Sequence, residues 1–224
     1  MHLDFHYLIN IIPQLLKYLP IVLFIAFCSF FFAVVIGIVF SIIIERKIPV
    51  IYYITLVLVS FFRGVPSLVQ IFILYFGLPQ LVPALSSINA MTAVIMALSI
   101  RNAAYLSEVF RSALISVDPG QYEAALSVSM TRRQAYWKVI FPQAARIAIP
   151  PSGTFLIMIL KDTSLAFTIG VVDMFAQAKL MAAASYNFLE SYLAIGLIYW
   201  VLTAVISLLQ SVLEKYISRP YRRV

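Results

Sequence analysis

Two long uncharged runs limit what this chain can become. Residues 18–44 contain no charged side chain, and residues 191–213 form a second such run. A transmembrane helix needs about 20 consecutive, mostly apolar residues to cross the hydrocarbon of a bilayer. With 63% hydrophobic and 11% charged residues, the 224-residue chain is too apolar for a soluble globular domain. We therefore predict an all-α integral membrane protein.

Five transmembrane helices are predicted in a single domain. The second is interrupted at Arg63-Gly64-Val65-Pro66 and the fourth at Lys161-Asp162, because polar and helix-breaking residues stand there inside apolar runs. Asp173 to Glu190 is expected to form a short surface helix and a turn before the last span. The approximate spans are 18–44, 50–76, 89–111, 147–170 and 190–213.

Basic residues predict the orientation of these spans. Lys and Arg in short loops stay on the cytoplasmic side of a membrane. With the amino terminus outside and the carboxyl terminus in the cytoplasm, the outside segments hold only Lys17 and Lys179. The cytoplasmic set is then Arg46, Lys47, Arg111, Arg132, Arg133, Lys138, Arg146, Lys215, Arg219, Arg222 and Arg223.

The net charge of +7 does not indicate a nucleic-acid partner. The basic residues stand singly or in pairs beside apolar runs, which is typical of residues that determine topology. Membrane lipid is the expected contact.

Enzymatic chemistry has few candidate residues. The only histidines are His2 and His6, and the only cysteine, Cys28, lies inside an apolar run, so neither a nucleophile with its base nor a metal site is expected. The phosphate-binding pattern GxxxxGK[ST] is also absent from the sequence. We expect no cofactor in this chain and no ATP bound through such a loop.

Residues 118–142 are the longest polar, charge-bearing stretch. Asp118 is a natural helix cap and Pro119 is tolerated in a first helical turn, so a short surface helix is predicted from there. Thr131 restarts the pattern as a second cap, and Pro142 marks where a second short helix should stop or bend. The stretch is expected to be two short helices joined near Ser129.

This stretch resembles the "EAA loop" of bacterial ABC importer permeases. The family pattern is EAA, three residues, Gly, nine residues and Ile-x-Leu-Pro. Its spacing matches here at Glu123-Ala124-Ala125 and at Pro142, whereas Ser129 stands where the family has glycine. Val139 and Phe141 are mild replacements.

Four further stretches resemble the polar amino acid permease branch of that family: RGVPSLVQIFILYFGLP from Arg63, RNAAYLSEVFRSAL from Arg101, FPQAARIAIPPSG from Phe141 and LKDTSLAFTIGVVDM from Leu160. The tail from Phe175 is most similar to cystine importer permeases. The resemblance implies a type I ABC importer permease fold in the bacterial cytoplasmic membrane. It also implies an ATP-binding cassette subunit that binds ATP and Mg²⁺, an extracellular or periplasmic solute-binding protein, and a second permease copy or homologue that completes a dimer.

In the family, the EAA stretch is the coupling helix that docks on the ATPase. The resemblance carries this role to Glu123, Ala124 and Ala125. The flanking positions of the predicted coupling segment are Ser129, Arg132, Arg133 and Pro142.

Ionisable side chains inside spans are costly, so each is a candidate site residue. Arg101, Tyr105 and Glu108 fall at i, i+4 and i+7, which places them on one stripe of a helix. A zwitterionic amino acid needs a cation near its carboxylate and an acceptor near its ammonium, and this stripe has both signs. The remaining substrate-path candidates are Asn102, Arg63, Pro66, Ser67, Gln70, Lys161, Asp162, Thr163 and Ser164.

Structural roles remain open for several of these residues. Glu108 could instead pair with Arg111 at i+3, and Asp162 with Arg63 or Lys161. At the level of function, the favoured reading is an ATP-driven importer of a polar amino acid, with L-cystine as the expected substrate. The alternatives are a permease for arginine, histidine or glutamine, and a passive channel or membrane scaffold.

Overall fold

The computed structural model describes residues 3–218, and every regular element in that range is helical. The helices are α1 (Phe5–Leu16), α2 (Leu19–Arg46), α3 (Ile51–Gly64), α4 (Ser67–Phe72), α5 (Leu78–Leu81), α6 (Ala90–Ile115), α7 (Pro119–Ser127), α8 (Arg132–Ala135), α9 (Phe141–Asp162), α10 (Met174–Ser185) and α11 (Phe188–Ser218). Two π-helical turns (Ile73–Gly77 and Tyr136–Ile140) and two 3₁₀ turns (Pro83–Leu85 and Thr163–Ile169) complete the set. His2, Arg219, Arg222 and Arg223 lie outside the described residues.

Four helical segments are long and apolar enough to cross a membrane, and a bent pair makes a fifth. The four are Leu19–Arg46, Ala90–Ile115, Arg132–Ile169 and Phe188–Ile217. The pair, Ile51–Gly64 with Ser67–Leu81, bends by 116° at the predicted Arg63 to Pro66 interruption. The predicted all-α membrane class is therefore confirmed. The short helix α1 was not among the predicted spans.

Helices α2 and α6 share the most extensive contact among the described helices and meet through small side chains. Small buried residues recur every three or four positions along α2, at Ala26, Ser29, Ala33, Gly37 and Ser41. A Cβ at Gly37 would lie only 3.1 Å from the Leu106 Cβ, so the glycine permits the approach of α6. Small residues at such spacing let membrane helices pack closely, where van der Waals contact must replace the hydrophobic effect.

The short helix predicted after Asp173 is present as α10, and one face of it is buried whereas Lys179 and Leu180 are exposed. Met174 and Ala178 are fully buried in the main apolar core, because the alanine-rich sequence of α10 allows close packing against α11. Asp173 caps this helix by accepting a 2.8 Å hydrogen bond from the Ala176 N–H. Burial raises the pKa of the Asp173 carboxyl to about 6, although the backbone N–H donors partly offset the rise.

The second short helix does not stop at Pro142, and the predicted interruption at Lys161-Asp162 is only a change from α-helix to 3₁₀ helix after Asp162. The helix continues from Arg132 to Ile169. The π-helical turn before Pro142 shifts the hydrogen-bond pattern, so that the Phe141 N–H bonds the Tyr136 carbonyl and the proline falls in the first turn of α9. A first turn tolerates a residue without an N–H. At its other end α9 runs through Asp162 and tightens into the 3₁₀ turn.

A polar side chain ties α9 to the last span. Pro150 and Pro151 remove two N–H donors from the interior of α9. Gln210 of α11 donates a 2.8 Å hydrogen bond to the Pro150 carbonyl, and any side chain at Gly153 would overlap Gln210. The fit fixes the carboxyl-terminal half of α11 against α9.

The joint after α7 adopts the backbone that glycine favours, although serine occupies it. Ser129 has φ +62°, in the left-handed region. Its N–H bonds the Leu126 carbonyl at 3.0 Å and the Met130 N–H bonds the Ala125 carbonyl at 3.2 Å, which is the hydrogen-bond pattern of a Schellman motif. The Ser129 hydroxyl is exposed, so the serine is tolerated at a conformational cost.

Replacing Ser129 tests this cost. A residue with a Cβ in the left-handed region costs roughly 1–2 kcal/mol of stability, which glycine would recover. Glycine also makes the unfolded chain more flexible, and this offsets roughly half of the recovered free energy. Ser129→Gly should leave the melting temperature of the purified protein unchanged or raise it slightly, whereas Ser129→Val should lower it. Ser127→Gly, at the last residue of α7, is the matched control and should be destabilising by about 0.5 kcal/mol. A Ser129→Val protein as stable as the parent would contradict the assigned backbone.

Candidate functional site

Three helices bring five of the predicted path residues together. The end of α3, the middle of α6 and the end of α9 supply what we call the charged layer, which consists of Arg63, Arg101, Tyr105, Glu108 and Asp162. The i, i+4, i+7 spacing on α6 puts its three members on one stripe, as predicted. Their partners come from distant parts of the chain.

Arg101 forms an ion pair with Asp162. The Arg101 Nη1 lies 3.2 Å from the Asp162 Oδ2, and the two side chains are 16% and 29% exposed. Ser67, which begins α4, donates to the same Oδ2 at 3.2 Å. The proposed pairing of Asp162 with Arg63 or Lys161 is therefore wrong. One carboxylate oxygen connects α9 to both α6 and α4.

Glu108 forms the second ion pair, with Arg63. The local alternative, pairing with Arg111 one turn away, is wrong because the end of α3 brings Arg63 across to α6. These two side chains are 39% and 43% exposed, so they border open space rather than the packed core.

Tyr105 lies between the two arginines. Each guanidinium carbon is 5.4 Å from the centre of its ring, within the range of a cation–π contact. The ring also stacks on Phe155 of α9 at 5.7 Å. Its hydroxyl donates a 3.0 Å hydrogen bond to the Arg63 carbonyl, at the point where α3 ends. Tyr105 thus contacts all three helices of the charged layer.

Gln70 donates hydrogen bonds to backbone carbonyl groups at the bend between α3 and α4. Its Nε2 donates to the Phe62 carbonyl at 2.8 Å and to the Val65 carbonyl at 2.7 Å. Such bonding allows a helix to break at membrane depth. Pro66, which precedes the first turn of α4, supplies the extended backbone of the bend. Gln70 is 4% exposed, so the structure gives it a supporting position behind the layer.

Four other predicted path residues lie away from the layer. Asn102 and Thr163 are fully buried and bond the carbonyls of Leu98 and Leu160 at 2.7 and 2.8 Å. Lys161 and Ser164 line a separate cavity of about 330 Å³ with Phe175, Tyr192, Ile195, Gly196 and Tyr199. Among residues 3–218, no group of three or more side chains could hold a metal ion.

The coupling segment presents one exposed surface at the predicted cytoplasmic end. On α7, Glu123 and Ala124 are exposed but Ala125 is only 5% exposed, so Ala125 packs inward. Arg132 and Arg133 are exposed on α8, whose first turn has the predicted Thr131 cap with a reciprocal bond from Gln134. Pro142 is partly exposed at the start of α9.

Sequence reasoning missed the apolar part of this surface. Val128 and Trp137, which flank Arg132 and Arg133 in the sequence, are 67% and 62% exposed. An exposed valine and tryptophan are themselves a signal for a protein or membrane contact.

Comparison with known proteins gives one family. A family described as "Binding-protein-dependent transport system inner membrane component" matches residues 33–219. The chain is 50% identical to the "Probable amino-acid permease protein YxeN" of Bacillus subtilis (strain 168) over 98% of each chain. It is 34% identical to the "L-cystine transport system permease protein TcyL" of the same organism over 99% of this chain and 94% of that protein.

A solved structure shares the fold. The chain is similar to one described as "Crystal structure of an amino acid ABC transporter with histidines", with a TM-score of 0.87 and 33% identity over 96% of this chain and 100% of that one.

Proposed function

We propose that this chain, which belongs to the family of binding-protein-dependent transport system inner membrane components, carries L-cystine across the cytoplasmic membrane. It is the membrane-spanning, non-catalytic subunit of an amino acid ABC importer, and ATP is bound by its partner ATPase. The proposal concerns the substrate, the residues on its route and the surfaces that bind the partners.

The observation that supports this route best is the Arg101–Asp162 pair. It lies inside the predicted spans, it is only partly exposed, and its charges have the two signs that a zwitterion requires. A substrate carboxylate would bind Arg101 while the ammonium binds Asp162, so the amino acid replaces an internal ion pair with two charge-assisted contacts. The charges of the substrate thereby compensate those of Arg101 and Asp162, which its binding separates from each other.

Cystine suits a pair of such sites. It carries a carboxylate and an ammonium at each end of a disulfide. A second permease copy, related by a two-fold axis, would supply a second Arg101–Asp162 pair, so that a two-ended substrate meets two equivalent sites. The 34% identity to a permease named for L-cystine supports this choice.

Another polar or basic amino acid is the second candidate. The charged layer holds two carboxylates, Asp162 and Glu108, and a cationic side chain could use the second one. The similar solved transporter is described with histidines. A passive channel or scaffold is the less favoured function, because neither would need the exposed coupling surface.

The predicted topology suggests which surface of the chain would bind the ATPase and which would face the solute-binding protein. The exposed Glu123 and Ala124 of α7, with Arg132 and Arg133 of α8, would dock on the ATPase in the cytoplasm. The amino terminus then lies outside, where a solute-binding protein would deliver the substrate to the opposite face.

Competition for uptake tests the substrate. Uptake of labelled L-cystine into cells that express the complete importer should be inhibited at least tenfold by excess cystathionine, which also has two zwitterionic ends. S-methylcysteine, which has one such end, should inhibit weakly. If arginine, glutamine or histidine competes and cystine does not, the substrate assignment is wrong.

Charge reversal at Glu123 tests the coupling surface. Glu123→Lys places a cation where the docking carboxylate stood, so co-purification of the ATPase should fall by about tenfold or more. Glu45→Lys, an exposed reversal at the end of α2 on the same side of the membrane, is the control and should retain the ATPase. An ATPase complex that survives Glu123→Lys would remove α7 from the docking surface.

A further inference from the structure

We infer that the short helix α1 lies along the surface of the bilayer, where protein, lipid and water meet, and that its exposed apolar stripe binds the acyl chains of phospholipids. The proposed function gives this helix no role, and the inference holds whichever amino acid the protein carries. In the predicted orientation, the lipid belongs to the outer leaflet.

Both ends of α1 are held at the level where a span begins. Just before the helix, the Asp4 N–H donates a 3.1 Å hydrogen bond to Oε1 of Glu190, in the first turn of α11. After the helix, only Lys17 and Tyr18 separate it from α2, the first span. With five spans, the first and the last begin on the same face of the membrane. A helix of 12 residues, about 18 Å long, therefore runs along that face from one span to the other.

One side of α1 is fixed on the protein. The Ser185 hydroxyl, at the end of α10, donates to the Tyr7 hydroxyl at 2.9 Å, and the Ser191 hydroxyl of α11 lies 3.2 Å from the same oxygen. The buried face, which packs in the main apolar core, consists of Leu8, Ile11 and Leu15. These contacts set the rotation of α1 about its axis, and the directions of its other faces follow from them.

The rest of the helix surface divides into an apolar and a polar stripe. Residues three or four positions apart share a face of a helix. The apolar stripe consists of Phe5, Ile9, Ile12 and Leu16, and the first two side chains are 67% and 62% exposed. The polar stripe consists of His6, Asn10, Gln14 and Lys17, all of them exposed. At 3.6 residues per turn, the buried face and the two stripes lie about a third of a turn apart, which suits a boundary between three media.

Lipid is the occupant that fits the apolar stripe. An amphipathic helix in the membrane surface buries its apolar face at the boundary of the acyl chains and keeps its polar face in water. Aromatic side chains are enriched at this depth. Next to Glu190, which holds the start of α1, the exposed rings of Tyr186 and Phe188 contact each other with their centres 6.5 Å apart. These rings indicate that the start of α11, and with it α1, lies at the membrane surface.

The polar stripe fits the water and headgroup side of the same boundary. Asn10 Nδ2 lies 3.1 Å from the His6 ring nitrogen Nδ1, and Gln14 donates a 3.2 Å hydrogen bond to the Asn10 carbonyl. Lys17 stands at the end of this stripe, where its ammonium would meet the anionic phosphates of the headgroups. The helix thus presents apolar groups to the acyl chains and a cation to the headgroups.

Accessibility of spin labels tests the inference. Cys28→Ser removes the only cysteine of the chain, and single cysteines then replace Phe5 or Ile9 of the apolar stripe and Asn10 or Gln14 of the polar stripe. Each nitroxide-labelled permease is assembled with a cysteine-free ATPase in phospholipid nanodiscs. Collisions of the label are measured with O₂, which concentrates in hydrocarbon, and with a water-soluble nickel chelate.

The two stripes should respond in opposite ways. The ratio of O₂ to nickel collisions should be about fivefold or more higher at Ile9 than at Asn10, its neighbour in sequence and matched control, because the two face different media. Phe5 and Gln14 should repeat the difference. Strong nickel collisions at all four positions would place α1 in water, and weak ones at all four with strong O₂ collisions would place it inside the hydrocarbon; either result would overturn the inference. Labels at Phe5 and Ile9 that neither reagent reaches would show that a second permease copy or a solute-binding protein, and not lipid, covers the stripe.

Discussion

The cost of ionised side chains in hydrocarbon shapes the centre of this molecule. Insertion scales put that cost at about 2.5 to 3.5 kcal/mol for a charged residue at the middle of a membrane helix. The protein meets it by pairing Arg101 with Asp162 and Arg63 with Glu108. Because each pair joins two different helices, compensation of charge also fixes how α3, α6 and α9 lie against one another.

The same contacts link the proposed substrate site to the coupling segment. One continuous helical segment runs from Arg132, after the Thr131 cap, to Ile169, so in the proposed importer a displacement of the coupling segment would be carried along α9 to Asp162. At Asp162 a single oxygen holds α6 and α4. The bend in the second span is therefore attached both to the site that would bind substrate and to the helix that would receive movement from the ATPase.

Local chemistry was enough to predict much of this arrangement. The caps at Asp118 and Thr131, the bend at Arg63 to Pro66 and the Arg101, Tyr105, Glu108 stripe all depend on residues within a few turns, and the structure has each of them. The partners of those residues were not predictable, because Arg63 lies 45 residues from Glu108 and Arg101 lies 61 from Asp162.

Other errors have equally specific causes. Pro142 alone predicts a stop or a bend, because a π-helical turn, which absorbs the missing N–H, has no clear signal in a single sequence. The buried face of α10 was not predictable, because a run of small residues such as alanine does not indicate which face packs against a neighbouring helix. Gln210 was passed over as one polar residue in an apolar span, although it fills the space that Gly153 leaves in α9.

Binding at the Arg101–Asp162 pair is the central claim, and equilibrium binding of labelled L-cystine to the purified permease–ATPase complex tests it most directly. Arg101→Gln and Asp162→Asn should each weaken binding at least tenfold. Lys161→Gln changes the adjacent residue, which lines the 330 Å³ cavity away from the charged layer, and should bind as the parent does. Parental affinity in both Arg101→Gln and Asp162→Asn would show that the amino acid binds elsewhere.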